Sequence, residues 1–76
     1  MTRYLVELEA NGRRTETYRD ASSPEDAAAQ AARGWYLDAR VEPRNEGTDL
    51  YGAYIAFTAR TSYTRIPASV RVRWTR

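Results

Sequence analysis

Asp20-Ala21-Ser22-Ser23-Pro24-Glu25-Asp26-Ala27-Ala28-Ala29-Gln30-Ala31-Ala32-Arg33-Gly34 is the stretch that reads most clearly as a helix, and strand-like sequence flanks it on both sides. Its start and stop signals agree. Ser23 can cap the first turn and Pro24 suits the first helical position. Glu25 and Asp26 favour the positive end, and Gly34 is placed to end the helix. The apolar content of this helix is almost wholly alanine, which contributes little buried area but allows close approach. A sheet of larger side chains must then supply the core.

On the N-terminal side, Tyr4, Val6 and Leu8 alternate with Glu7 and Glu9, with Leu5 as the exception. Asn11-Gly12 signals a hairpin, with Arg14 to Arg19 as the returning strand. A two-residue loop would set Glu7 opposite Glu16 and Leu5 opposite Tyr18, bringing like charges together. A three-residue loop closed by Gly12 separates the carboxylates and sends Tyr18 to the Tyr4/Val6/Leu8 face. The latter register is the expectation.

On the C-terminal side, Trp35, Leu37, Ala39 and Val41 alternate with Tyr36, Asp38, Arg40 and Glu42, predicting a half-buried strand with the first set under the helix. Residues 43 to 49 carry turn formers throughout and read as an exposed loop. From Leu50 to Ala59 both faces are largely apolar, so both should be covered. Residues 60 to 68 are hydroxyl-rich and interrupted by Pro67, which predicts a loop. From Ser69 to Arg76, Val70, Val72 and Trp74 alternate with Arg71, Arg73 and Thr75. The expectation is an α+β fold in the order β-β-α-β-β-β, a mostly antiparallel sheet with one short Ala-rich helix packed on one face. Its β-α-β crossover would be right-handed if those two strands lie parallel in one sheet. With no internal repeat, linker or low-complexity tract, residues 1 to 76 read as a single domain.

The chain has 76 residues, enough for a core that hides only roughly 60% of the unfolded surface. It has no Cys, so no disulfide reinforces that core. No apolar run approaches the length of a membrane span and no signal-peptide pattern is present. The expected location is the cytosol, of a bacterium or of a phage-infected host cell. All 12 basic residues are Arg. A GC-rich genome explains such an Arg- and Ala-rich composition without selection on function. Ten carboxylates leave a net charge of +2, too small for a dedicated nucleic-acid coat.

The absence of His, Cys and Lys removes the usual general base, thiol nucleophile, zinc ligands and Schiff-base amine. Asp38 and Glu42 on one strand would lie about 13 Å apart, too far to act directly as a pair. Glu7, Glu9 and Glu16 lack calcium-loop spacing, and the glycines lack phosphate-cradling spacing. The reading is a non-enzyme with no catalytic, metal or cofactor-binding residues.

Two candidate surfaces remain. The first is the sheet face away from the helix, where Tyr36, Arg40, Tyr54, Arg71 and Arg73 can converge if the strands align. Such residues suit single-stranded nucleic acid and protein interfaces. Asp38 and Glu42 on the same face would repel phosphate, which favours a protein partner. Intra-sheet ion pairing on a solvated face is the plain alternative. The second surface is the 60–68 segment with Arg60, Tyr63 and Arg65, otherwise an ordinary polar loop. A homodimer through the apolar second face of residues 50 to 57 is a further expectation, and no membrane partner is expected.

The segment from Tyr18 to Arg33, a strand end and a Ser-capped Ala helix followed by a Trp/Tyr strand, resembles a pattern in small phage-encoded α+β proteins. Some of these are host-defence inhibitors of the anti-CRISPR kind. The likeness covers roughly residues 18 to 42 and contains no chemical motif, so no functional residue is carried over. It implies a compact domain that inhibits by occupying a partner's surface.

Overall fold

The computed structural model describes residues 1–75. Strands β1 (Thr2–Ala10) and β2 (Arg13–Ala21) precede helix α1 (Pro24–Trp35), which is followed by β3 (Arg40–Asp49), β4 (Gly52–Thr61) and β5 (Thr64–Trp74). The five strands form one antiparallel sheet in the order β2-β1-β5-β4-β3. The strands before and after the helix therefore occupy opposite edges and run in the same direction. Every strand-to-strand link other than the helical one is a tight hairpin or a pairing of the first strand with the last.

The helix begins as its sequence dictates. Ser23 adopts an extended backbone and its hydroxyl accepts from the Asp26 N–H at 3.1 Å, with Pro24 in the first turn. Ala27, Ala28, Ala31 and Ala32 are buried and form one cluster with Tyr4, Val6, Leu8, Phe57, Val70 and Val72. The sheet side of that cluster supplies the large side chains.

The helix end differs from expectation. It passes through Gly34 and closes at Trp35, where Tyr36 turns extended and its N–H donates to the Ala32 carbonyl at 2.9 Å. Gly34 keeps a negative φ. The Arg19 guanidinium lies beside it, within about 3.5 Å of where a Cβ would stand, a cation near the negative helix end. Trp35 to Ala39 thus complete the helix and a turn, not a strand, and only from Arg40 does extended chain resume.

The predicted loops at 43–49 and 60–68 are strand for most of their length. β3 is an edge strand exposed over most of its residues, so no apolar alternation marks it. Pro43 and the bulge between Pro43 and Asn45 are tolerated because an edge strand has one unpaired side. The β3–β4 turn falls on the apolar pair Leu50-Tyr51, closed by the Asp49 carboxylate accepting from the Tyr51 N–H at 2.9 Å and by Gly52 at φ 109°. Pro67 precedes Ser69, the first residue of β5 paired with β1, so its missing N–H breaks no bond to that strand. The last strand ends at Trp74, and Arg76, included in the predicted strand, lies outside the described residues.

The hairpin register also overturns the expectation. Asn11 and Gly12 adopt φ of 53° and 74°, the two left-handed positions of a type I′ turn, and the loop has two residues. Glu7 therefore does face Glu16, and Tyr18 faces Leu5 on the side away from the helix. The like charges are tolerated because Arg14 bridges them. Its guanidinium donates to Glu7 Oε1 and lies 3.9 Å from Glu16 Oε1.

Candidate functional site

With the helix on one face, the other face of the sheet is open. Alternation places Leu5, Glu7 and Glu9 of β1, Arg71 and Arg73 of β5, and Tyr54 and Ala56 of β4 there. Glu7 stands opposite Arg71, and Arg73 stands between Leu5 and Tyr54.

The centre of this face is Arg73. It is 5% exposed, and its guanidinium is shared between two carboxylates. Nε donates to Glu7 Oε2 at 3.2 Å, while Nη1 and Nη2 fork onto Asp49 at 2.8 and 2.5 Å. The guanidinium carbon also lies 5.3 Å from the Tyr54 ring centre and 5.8 Å from that of Tyr51. Arg71 lies over Tyr54 at 4.6 Å and is 3.6 Å from Asp49. A planar fork satisfies two acids and two rings at once, which a lysine could not do. Among the described residues no buried side-chain nitrogen or oxygen lacks a hydrogen-bond partner.

Gly47 is the device that lets Tyr54 lie flat. The two residues are cross-strand partners, and a Cβ at Gly47 would come within 2.5 Å of the phenol oxygen. The ring crosses β3 where no side chain stands.

These contacts explain what covers the second face of β4. Ala56 is buried and Tyr54 half-buried beneath guanidinium groups of the same chain. No second copy is needed for that cover, contrary to the reasoning that pointed to a dimer through residues 50 to 57.

Of the residues expected to converge, the structure brings Tyr54, Arg71 and Arg73 together. Arg40 stands at the β3 start opposite Arg60, apart from that group. Tyr36 leaves the face altogether. As the residue after the helix it stacks on Tyr63, with ring centres 5.6 Å apart and planes at 14°. Tyr36 and Tyr63 therefore belong to one surface at the helix C-terminal end, together with Trp35 and the exposed Leu37. Arg60 lies 3.8 Å from Glu42, and Arg65 is exposed on β5.

Asp38 assembles this aromatic end. Its carboxylate accepts from the Thr61 hydroxyl and from the Ser62 N–H and hydroxyl at 3.1 and 2.5 Å, tying the turn after the helix to the β4–β5 turn. The Ser62 and Thr61 hydroxyls, with the Ser62 N–H, hold the Asp38 pKa down to about 2. Asp49 is likewise lowered to about 2, first by the Arg73 hydrogen bonds. A depressed carboxylate contributes stability above its unfolded pKa and loses it as pH falls through the folded value. Stability should therefore fall on acidification from about pH 4 towards pH 2. Urea midpoints across that window should drop less for Asp49→Asn than for the parent chain; equal slopes would contradict the assignment.

Sequence reasoning misses Asp49, Glu7, Tyr18 and Tyr51 as members of the open face. Glu7 is legible from its alternation with Val6 and Leu8. Asp49 falls in a stretch that reads as loop, and Tyr18 changes face with the hairpin register. Among the described residues no helix is long and apolar enough to cross a membrane. Comparison with family models, with characterised proteins and with solved structures finds no match to this chain.

Proposed function

We propose that this is a small non-enzymatic binding domain that docks a protein partner on its open sheet face. One observation carries the reading: the arginines clustered around Tyr54 and Glu7 on that face are already neutralised by carboxylates of the same face. Arg73 is held by Glu7 and Asp49, Arg14 by Glu7, and Arg71 by Asp49 and the Tyr54 ring. A phosphate backbone would have to displace those acids or accept their repulsion. A protein surface can instead meet the rigid Tyr and Arg groups at low ordering cost, as interface centres do. Tyr18 and Tyr51, 65% and 81% exposed, are the accessible aromatics beside the network. Inhibition by occupying a partner's surface, the mode implied by the anti-CRISPR-like pattern, suits such a preorganised face.

A second reading places the contact at the aromatic end, favoured by the 88% exposure of Leu37 beside the Tyr36–Tyr63 stack. Paired variants separate the two. Tyr18→Ala with Tyr51→Ala should abolish capture of the partner from source cells, while Leu37→Ser with Tyr63→Ala should leave it intact. The reverse result would move the site to the helix end. Single-stranded and duplex oligonucleotides should bind no tighter than roughly 10 µM near physiological salt. Submicromolar binding that weakens steeply with salt would replace a protein partner with a nucleic acid.

A further inference from the structure

We propose that the free edge of β2 is the docking site for the β2 edge of a second copy of this chain, paired antiparallel about a two-fold axis at Thr17. The two sheets would then run on as one, with both open faces on the same side. The edge shares Tyr18 with the open face, but the pairing runs through backbone groups and does not depend on what that face binds.

The sheet has two free edges, and they are built differently. β3 carries Pro43 and a bulge, both of which blunt pairing. β2 pairs with β1 in unbroken register from Arg13 to Ala21, with neither proline nor bulge. Nothing in its backbone opposes a further strand.

The bonding pattern of the edge follows from the type I′ turn. That turn is closed by Ala10 and Arg13, so Arg13, Thr15, Thr17, Arg19 and Ala21 turn their backbone groups towards β1. Arg14, Glu16, Tyr18 and Asp20 turn theirs outward. The Asp20 carbonyl shows this directly, since it accepts from the Gln30 side chain at 3.1 Å instead of from β1. A carbonyl has a second lone pair, so this contact leaves room for a ladder bond.

Charge then selects the register. Because a two-fold axis normal to the sheet keeps each residue on its own face, the axis must pass through a residue of the strand. Centred on Thr17, Arg14 meets Asp20 of the second copy, Glu16 meets Tyr18, Thr15 meets Arg19, and Thr17 meets itself. All four outward residues are paired, giving about eight ladder bonds. Centring on Glu16 sets Glu16 against itself and Arg13 against Arg19, and centring on Tyr18 sets Glu16 against Asp20. Like charges directly opposite are destabilising. Centring on Thr15 leaves Asp20 unpaired, and centring on Arg19 opposes two arginines. Thr17 alone gives full length without a like-charge pair.

The chain has no cysteine, so a single introduced thiol is a clean probe. At a non-hydrogen-bonded antiparallel pair the Cα atoms are about 4.5 Å apart, within disulfide reach. Thr17→Cys should cross-link under mild oxidation roughly tenfold or more faster than Thr48→Cys on the β3 edge. In sedimentation equilibrium the parent chain should populate a dimer at high micromolar concentration. Asp20→Arg sets a second guanidinium against Arg14 of the second copy and also removes the 3.3 Å contact of Asp20 with Arg3 of its own chain. It should weaken the dimer by about tenfold, and Asp20→Asn, which loses the Arg3 contact without adding a positive charge, should weaken it less. A strict monomer, cross-linking no faster at position 17 than at 48, or a dimer indifferent to Asp20→Arg would each overturn the proposal.

Discussion

Arg73→Ala should unfold the domain or leave it barely folded at ambient temperature. Removing one partner of a buried charge network costs about 3–5 kcal/mol, because the carboxylate left behind keeps its desolvation penalty and loses its compensation. Glu7 is that carboxylate, 7% exposed at the centre of β1, and Arg14 alone would remain to hold it. A domain of this length has a total stability of about 4–11 kcal/mol at the usual value per residue, so the loss is a large share of the whole. Arg73→Lys should recover only part of it, since an ammonium cannot fork onto Asp49 and reach Glu7 together. Arg73→Met combined with Glu7→Leu should recover most, because an apolar pair of similar volume removes the stranded charge. Urea unfolding of the three variants checks the order. An Arg73→Ala chain within about 1 kcal/mol of the parent would show that the network is not felt.

Phe57→Ala should cost about 3–5 kcal/mol in the same measurement. Phe57 is 3% exposed and belongs to the cluster between sheet and helix. The size of the effect depends on whether neighbours can fill the space. Ala27, Ala28, Ala31 and Ala32 have no side chain to swing inward, so the helix can respond only by moving as a body. Val70 and Val72, both fully buried, are stiff at χ1 and adapt little. A loss below about 1.5 kcal/mol would mean that the helix settles freely onto the smaller residue.

The first effect arises from a residue whose face alternation reveals, but not every element is legible in that way. The Ser23 cap, the Ala face, the strands around Val6 and Val72 and the position of the Asn-Gly hairpin, though not its loop length, are local signals, and they read correctly. The register of the first hairpin is not local. The Glu7–Glu16 opposition counts against it until Arg14 and Arg73 supply compensating charge, and Arg73 lies at the other end of the chain. β3 is hidden because an edge strand needs no apolar alternation and tolerates Pro43, Asn45 and Gly47. The turn residues Leu50 and Tyr51 are hidden for the converse reason, since apolar side chains in a hairpin turn mimic the start of a strand.

The same physics limits how much of the site is readable. Arg71 and Arg73 sit on a strand of clear alternation and Tyr54 on one that is apolar on both faces, and the three do converge. Tyr36 follows a helix that runs past its glycine, and that extension carries it from the open face to Tyr63. Asp49 becomes visible only once β3 is strand, and with it the reason that Arg73 is buried.

The central claim, that the open face receives a protein, is tested most directly by site-specific photo-cross-linking in source cells. A photoreactive residue replacing Tyr51 or Glu9, at the two ends of the open face, is compared with one replacing Glu25 or Arg33 of the helix. One discrete protein adduct shared by positions 51 and 9, and absent from 25 and 33, is the expected result. Adducts confined to the helix positions, or nucleic acid captured at 51 and 9, would contradict it.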